Sequence, residues 1–352
     1  MPPLLPLRGG AAPRGGAFAL GAARRQKTMH TDPKRPAALL CALALSAAFP
    51  AAAQEWPSRP IRMMVGFGPG GGTDIIARMV AQPLAEILGQ PIVVENKPGA
   101  GGTLAANTVA RAAPDGHTIF VMNNGHAVSA AVYQKLPFDS VKDFAPVSTL
   151  CAQPLVVVAG KNFPAQDLGG LVARAKAQPG KLNYASVGIG STQHFAAELL
   201  RQLTDIDIVH VPYKGTPNAV AAVMSGEVEL LVEVASPLLG QIRAGELKPL
   251  AVTSPKRYDG LPDVPTAVES GVAGYDVTTW YGLAFPAGTP APIVEKMNQA
   301  VRKALAQDAV RKQAMAAACL PEASSPDALG RHVSAEIERW KGVMQKAGIA
   351  QQ

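Results

Sequence analysis

The sequence has few cysteines, three among 352 residues. No group of histidines and cysteines has the spacing of metal ligands, so we predict no metal site and no cofactor. The Gly-x-Ser-x-Gly elbow of α/β-hydrolases is also absent, and no histidine follows a recognisable nucleophile motif. Hydrolase chemistry therefore lacks a sequence signal, and we expect local hydrogen bonds or solvated edges for His117, His126, His194, His210 and His332.

The chain also lacks an apolar run long enough to span a membrane. Its apolar stretch at residues 36–49 is shorter than the ~20 residues that a spanning helix requires. Basic residues precede this stretch and an Ala-x-Ala site follows it at residues 51–53, which is the pattern of a secretory signal peptide. We therefore predict that residues 1–53 are an over-extended start followed by a signal peptide beginning at Met29, and that the mature protein is periplasmic.

The net charge of +7 is concentrated in that segment, which holds seven of the 33 basic residues and one of the 26 acidic residues. The rest of the chain has a net charge of only +1. A basic surface of the kind that binds nucleic acid is therefore not indicated, and we predict no nucleic-acid partner.

Two cysteines, Cys151 and Cys319, lie beyond the predicted signal peptide. Both have apolar, alanine-rich neighbours where a small buried thiol fits, although an oxidising compartment also permits a disulfide. Sequence alone cannot establish the short Cα separation that a bridge requires. The sequence favours two unpaired thiols and leaves a disulfide as the alternative.

Glycines are concentrated where strand patterns give way to helical patterns. Apolar residues 61–65 precede Gly66 to Gly72, and a helical pattern begins at Thr73. Such a loop lets backbone N–H groups approach a ligand closely, and the helix N-terminus behind it adds partial positive charge. The stretch predicts a site for an oxyanion such as a carboxylate or a phosphate.

The same order of strand, glycine loop, helix and strand recurs at residues 182–211, with its loop at Gly188 to Thr192. Alternating strands and helices predict an α/β fold with mainly parallel sheets. Two related lobes that each present a glycine loop are one interpretation. Ordinary repetition of β-loop-α-β units is the other.

One functional alternative is an exported α/β enzyme with a dinucleotide-type glycine loop. Residues 66–71 satisfy Gly-x-Gly-x-x-Gly, and Glu95 ends the next strand, where a ribose-binding acid belongs. However, Pro69 removes an N–H from the phosphate-binding turn, and an exported chain would have to acquire its dinucleotide outside the cytoplasm. We therefore predict that the protein is not an enzyme.

Eight short motifs beyond residue 53 carry a family resemblance. They are WPSRPIR at 56–62, PGGGTD at 69–74, VENKPGAGG at 94–102, APDG at 113–116, KDFAP at 142–146, KLNYA at 181–185, HVPYKG at 210–215 and LPDVPT at 261–266. Together they resemble the Bug family, the extracytoplasmic receptors of tripartite tricarboxylate transporters. The resemblance covers nearly all of the chain after the predicted signal peptide.

The resemblance implies a two-lobed clamshell of the periplasmic-binding-protein type, in which each lobe is a mainly parallel sheet flanked by helices. The family's crossings between lobes match Leu155–Val158 and Thr279–Gly282. We therefore expect lobe 1 at residues 54–156 and 283–352, and lobe 2 at residues 157–282. The implied function is a monomeric solute-binding receptor that delivers a small carboxylated organic acid to the membrane subunits of a tripartite transporter. A receptor that senses the ligand for a signalling system is the alternative.

The family pattern and the predicted strand ends give the candidate ligand-binding residues. They are Phe67, Gly70, Gly71, Gly72, Thr73, Asp74, Asn123, Asn124 and Gly125 in the first lobe, and Gly190, Ser191, Thr192, Lys214 and Glu233 in the second. Glu233 departs from the family, which often has Phe-Asp near this point. If Asp74 and Glu233 both face the cleft as anions, a ligand with a hydroxyl or ammonium donor suits the site better than a bare polycarboxylate.

Overall fold

The computed structural model describes residues 55–347 and residue 351. The predicted signal peptide, residues 1–53, lies outside the described residues, so export and the start at Met29 stay predictions. Within the described part of the chain, no helix is both long enough and apolar enough to cross a membrane.

The described elements alternate between strands and helices along most of the chain. The strands are β1 Ile61–Val65, β2 Ile92–Asn96, β3 Thr118–Asn123, β4 Phe144–Gly160, β5 Leu182–Ser186, β6 Ile208–Pro212, β7 Leu230–Val234, β8 Leu247–Val252, β9 Thr278–Pro286 and β10 Leu320–Pro321. The helices are α1 Gly72–Leu88, α2 Thr103–Ala110, α3 Asn124–Val132, α4 Leu168–Ala177, α5 Thr192–Thr204, α6 Thr216–Ser225, α7 Leu239–Arg243, α8 Ala291–Ala306, α9 Asp308–Ala316 and α10 Pro326–Ala347.

The strands form one mixed sheet in the order β2-β1-β3-β9-β4-β7-β5-β6, and β8 and β10 both pair with β4. β1 is parallel to β2 and β3, and β5 is parallel to β6 and β7. β4 and β9 run antiparallel to their neighbours. The two parallel groups run in opposite directions, so the carboxyl ends of β1 and β3 face those of β5 and β7. The loops that lead into helices begin at these ends, which positions the candidate site between the groups.

The long strand β4 joins two halves of this sheet. Up to Pro154 it pairs with β9, and from Leu155 onward it pairs with β7 and β8. The chain returns at the start of β9, where Thr278 pairs with Pro154. We call the part with β1, β2, β3, β9 and β10 the first half, and the part with β5 to β8 the second half. The chain thus changes halves just before each predicted crossing segment, and the predicted lobe boundaries stay predictions.

Buried apolar side chains form separate layers on the sheet faces. One layer packs the first half against α1, α8 and α9, and includes Ile61, Ile76 and Met297. Another lies between α6 and the second half. A third extends across the other face of both halves to α10, whose Trp340 meets Phe195 of α5 edge-to-face at 6.3 Å. Each half is therefore covered by helices that bury its apolar faces, as the α/β prediction requires.

The two cysteines are bonded to each other, which corrects the preference for unpaired thiols. Cys151 lies in β4 and pairs with Pro321 of β10, so Cys319 is brought within a Cα separation of 5.5 Å. This register could not be inferred from the sequence because β10 is only two residues long. The disulfide closes a separation of 168 residues and ties the C-terminal helical region to β4.

Candidate functional site

The first glycine loop, residues 66–71, connects β1 to the N-terminus of α1. Gly71 occupies the N-cap position with an extended backbone and no side-chain cap. The first bond of the helix runs from Ile75 N to Gly71 O at 3.0 Å. The amides of Gly72 and Thr73 precede it and belong to the turn in which a helix supplies no acceptor of its own. α1 therefore presents N–H donors and the positive end of its dipole at this point.

Asp74 is held inside the first half and does not line the cavity described below. Its carboxylate accepts hydrogen bonds from Gly70 N at 2.9 Å, Asn96 Nδ2 at 2.9 Å and Arg78 Nε at 3.0 Å. Burial alone would raise the pKa of Asp74, but these bonds lower it below its ordinary value. Asn96 Nδ2 also donates to Phe67 O, so the network fixes the shape of the glycine loop.

Two asparagines at the end of β3 have different partners. Asn123 caps α3, because its Oδ1 accepts from Gly125 N at 3.0 Å, while its Nδ2 donates to Thr73 Oγ1 at 2.9 Å. Asn124 is fully buried, and its amide bonds to two backbone groups of β9. Asn123 therefore links the starts of α3 and α1, whereas Asn124 serves to anchor α3 on the sheet.

The second glycine loop precedes α5 in the second half. Ser191 Oγ accepts from His194 N at 3.2 Å and so caps this helix. Thr192 Oγ1 is buried and has no hydrogen-bond partner among the described residues. A buried polar atom without a partner costs free energy, so a water or a ligand atom is favoured beside it. The next helix, α6, begins nearby at Thr216 after the turn at Gly215.

These helix starts meet around a small cavity between the two halves. Its volume is about 20 Å³, which is room for about one water molecule. The lining residues are Phe67, Gly71, Gly72, Thr73, Asn123, Thr279 and Tyr281 from the first half, and Thr192, Gln193, Thr216 and Val234 from the second. They include the first residues or caps of α1, α3, α5 and α6, and none of them carries a formal charge. Because helix N-termini converge here, the cavity favours an anion even though no cationic side chain lines it.

The two halves touch directly beside this cavity. A Cβ on Gly72 would collide with Val234 of the second half and would lie 2.7 Å from Tyr281 Oη. A Cβ on Gly101 would lie 2.9 Å from the carbonyl carbon and oxygen of Gly190. No side chain fits at either contact in this closed arrangement. A molecule larger than one water would enter this cavity only if the halves separated.

Glu233 lies behind the cavity wall, fully buried in β7. Its carboxylate accepts from Gln193 Nε2 at 2.6 Å, Thr216 Oγ1 at 2.8 Å and Val234 N at 2.8 Å. Burial raises the pKa of Glu233, and these three hydrogen bonds oppose the shift. The sequence allowed Asp74 and Glu233 both to face the cleft as anions. Neither carboxylate lines the cavity, which corrects that condition. Each carboxylate instead accepts hydrogen bonds from donors of its own half.

The structure brings some of the predicted residues to the cavity and places others around it. Those that line it are Phe67, Gly71, Gly72, Thr73, Asn123 and Thr192. Those that do not are Gly70, Asp74, Asn124, Gly125, Gly190, Ser191, Lys214 and Glu233. Among the latter, Lys214 is exposed to solvent and Gly125 packs between Asn123 and the Phe67 ring.

Sequence reasoning missed five lining residues, namely Gln193, Thr216, Val234, Thr279 and Tyr281. Thr216 follows Gly215 at a helix start, which is the signal that indicated Thr73 and Thr192, so it could have been found. Tyr281 belongs to the antiparallel strand β9, and no strand-loop-helix pattern points to it.

The acid that the dinucleotide interpretation assigned to a ribose already has a partner. Glu95 forms a bidentate pair with Arg62, in which Nε and Nη2 each lie 2.7 Å from a carboxylate oxygen. Within the described residues, no group of three or more histidine, cysteine, aspartate or glutamate side chains is arranged to hold a metal ion.

Comparison with known proteins gives a match over most of the chain. Residues 76–349 match the family model described as the tripartite tricarboxylate transporter family receptor. The chain is 35% identical to the protein BugT of Bordetella pertussis over 303 residues, which cover 86% of this chain and 93% of BugT.

Solved structures give the same result for the fold. The periplasmic binding protein BugD matches with a TM-score of 0.82 at 33% identity, covering 84% of this chain and all of BugD (100%). MatC from Rhodopseudomonas palustris, solved with bound malate, matches with a TM-score of 0.79 at 39% identity, covering 82% of this chain and 99% of MatC. The predicted periplasmic-binding-protein fold, an α/β sheet flanked by helices, is therefore confirmed.

Proposed function

The chain belongs to the family of tripartite tricarboxylate transporter receptors, which includes the Bug proteins as its motifs predicted, and on this premise we propose its specific role. It captures a small carboxylated organic acid in the periplasm and delivers that acid to the membrane subunits of a tripartite transporter. It acts as a monomeric receptor and catalyses no reaction on its ligand.

One observation carries this proposal, which is the uncharged cavity at four helix N-termini. A carboxylate placed there would accept hydrogen bonds from the first amides of α1 and α5 and from the unpartnered hydroxyl of Thr192. Binding would then rest on many neutral donors and on helix dipoles, so that ligand release needs no buried ion pair to be broken. The malate bound by MatC supports a small carboxylic acid as the ligand class.

The contact between the halves supports a closing motion around the ligand. We propose that residues 54–156 with 283–352 and residues 157–282 move as two lobes. The long strand β4 and the start of β9 connect them and would act as the hinge. In the liganded form the lobes would close on the acid with Gly72 again near Val234, so that the starts of α1 and α5 both reach it.

Protein purified from the periplasm of an expressing host provides the test. Native mass spectrometry would detect a co-purified acid, and thermal-shift screening of dicarboxylates, amino acids and aromatic acids would then identify ligands. At a concentration 100 times Kd, a ligand should raise the Tm by roughly 5 °C or more. Stoichiometric nucleotide binding, turnover of a bound acid, or no response to any organic acid would contradict the proposal.

A further inference from the structure

The buried carboxylate of Glu233 orients two side chains that line the cavity, Gln193 and Thr216. Gln193 Nε2 and Thr216 Oγ1 each contact one of its oxygens, at 2.6 and 2.8 Å. Both contacts are donated to Glu233: the hydroxyl of Thr216 points its proton at Oε2, and the amide of Gln193 turns its nitrogen toward Oε1.

This orientation fixes what the second half offers to a ligand. A threonine hydroxyl has a single proton, so with that proton on Glu233 the oxygen of Thr216 can only accept a hydrogen bond from elsewhere. The carbonyl oxygen of the Gln193 amide is likewise an acceptor. Both residues line the cavity, and both belong to the half in which β7 lies behind them.

Donors come from other parts of the cavity wall. The first amides of α1 belong to the first half, and the hydroxyl of Thr192 is buried with no partner among the described residues. The cavity therefore has a donor-rich region that suits a carboxylate and an acceptor region at Gln193 and Thr216. A bare dicarboxylate would leave these two acceptors without a hydrogen bond, which costs affinity.

We propose that Glu233 is a specificity-determining positioning residue, and that it selects acids carrying a hydroxyl or ammonium donor near the carboxylate that enters this cavity. The inference rests on the proposed receptor function, since it names the class of acid bound at the same site. Glu233 acts through Gln193 and Thr216 and does not touch the ligand.

The substitution Glu233→Gln reverses the polarity of one contact with little change of shape. The new amide oxygen can accept from Gln193 Nε2 and Val234 N, as the carboxylate does. Its nitrogen can only donate, and it would donate to Thr216 Oγ1. The proton of Thr216 would then turn toward the cavity, which removes an acceptor for the ligand's donor and adds a donor for a bare carboxylate.

Isothermal titration calorimetry on two matched sets of acids tests this inference. The four-carbon set is succinate, L-malate and L-aspartate, and the five-carbon set is glutarate, 2-hydroxyglutarate and L-glutamate. Within the set that binds, we expect the wild type to prefer the hydroxy or amino acid over the bare acid by tenfold or more. Glu233→Gln should reduce that preference by at least tenfold while its Tm stays near that of the wild type.

Two further variants separate this role from a purely structural one. Glu229→Gln changes a carboxylate of the same half that bonds to Asn183 N at 2.7 Å and does not line the cavity, and it should leave the preference unchanged. Thr216→Val removes the acceptor itself and should also reduce the preference, which keeps the inference testable if Glu233→Gln does not fold.

Two results would overturn the inference and leave the receptor function standing. One is that Glu233→Gln and Thr216→Val weaken the affinity for all acids equally. The other is that the wild type binds the bare acid as tightly as the hydroxy or amino acid. Failure of the wild type to bind any organic acid would overturn both.

Discussion

Three hydroxyl groups near the cavity differ in whether the protein itself satisfies them. Thr73 Oγ1 accepts from Asn123, and Ser191 Oγ accepts from the backbone of His194. Thr192 Oγ1 has no partner within the described residues although it is buried. The first two hydroxyls thus contribute to helix starts, and Thr192 is the one that a ligand would satisfy.

The substitution Thr192→Val should weaken ligand binding by roughly fivefold to tenfold, because one hydrogen bond contributes about 1 kcal/mol. The Tm without ligand should change little or rise, since an unpartnered polar group is removed from a buried position. Calorimetric titration with the acid found by screening measures the affinity. Thr204→Val is the control on the same helix, because Thr204 bonds only within α5, to Leu200 O, and lies away from the cavity. Equal affinity in wild type and Thr192→Val would remove this hydroxyl from the site.

For individual residues of the candidate site, the sequence predicted the position of some and could not predict the contacts of others. Thr73 and Thr192 were found because each follows a glycine loop at a helix start. The sequence also placed Asp74 and Glu233 near the site, but it could not show that donors of the same half occupy both carboxylates. That outcome depends on side chains such as Asn96 and Gln193, which only the folded chain brings to them.

At the scale of elements, the site depends on how closely α1 approaches β7. Gly72 begins α1, and a Cβ on it would collide with Val234 and Tyr281. The glycine loop before it therefore has two uses: it presents the first amides of α1 at the cavity, and it leaves space for the second half to approach. The sequence pattern predicted the first use. The second could not be predicted, because it depends on a strand from the other half of the sheet.

The substitution Gly72→Ala should reduce ligand affinity by tenfold or more, because its Cβ would collide with Val234 as the halves close. The Tm without ligand should fall only modestly, since the halves can stay slightly apart. Gly68→Ala is a matched control in the same loop, because a Cβ there meets no atom within 4 Å. Calorimetry should give an affinity within about twofold of the wild type for Gly68→Ala. Similar affinities for the two variants would mean that closure at Gly72 is not needed for binding.

At the scale of the whole molecule, alternation of strands and helices predicted the α/β fold, and short motifs predicted the family. The pairing of Cys151 with Cys319 was not predictable, because it follows from the register of the two-residue strand β10 on β4. The sequence also did not predict that histidines such as His126 and His194 are buried. Burial lowers the pKa of His126 and of His194 to about 4, and burial together with the adjacent His194 lowers that of His210 to about 4.

These histidines should make the folded protein less stable as the pH falls below about 6.5. Their pKa values are lower in the folded state, so the unfolded chain binds protons first, and stability decreases from pH 6.5 down to about 4. Fully buried His126 alone should cost on the order of 2 kcal/mol at pH 5. Thermal unfolding between pH 7 and pH 5, a range above the titration of most carboxylates, measures the effect. His126→Phe should show a smaller loss of Tm over this range, and an unchanged slope would contradict the assignment.

The proposed function requires that the ligand is held between the two halves. Hydrogen–deuterium exchange with and without the acid found by screening tests this requirement most directly. The structure predicts simultaneous protection of the amides at residues 71–74 in the first half and at residues 192–194, 216 and 218 in the second, because both halves supply helix starts to the cavity. Protection confined to one half, or located away from these helix starts, would contradict a ligand held between them.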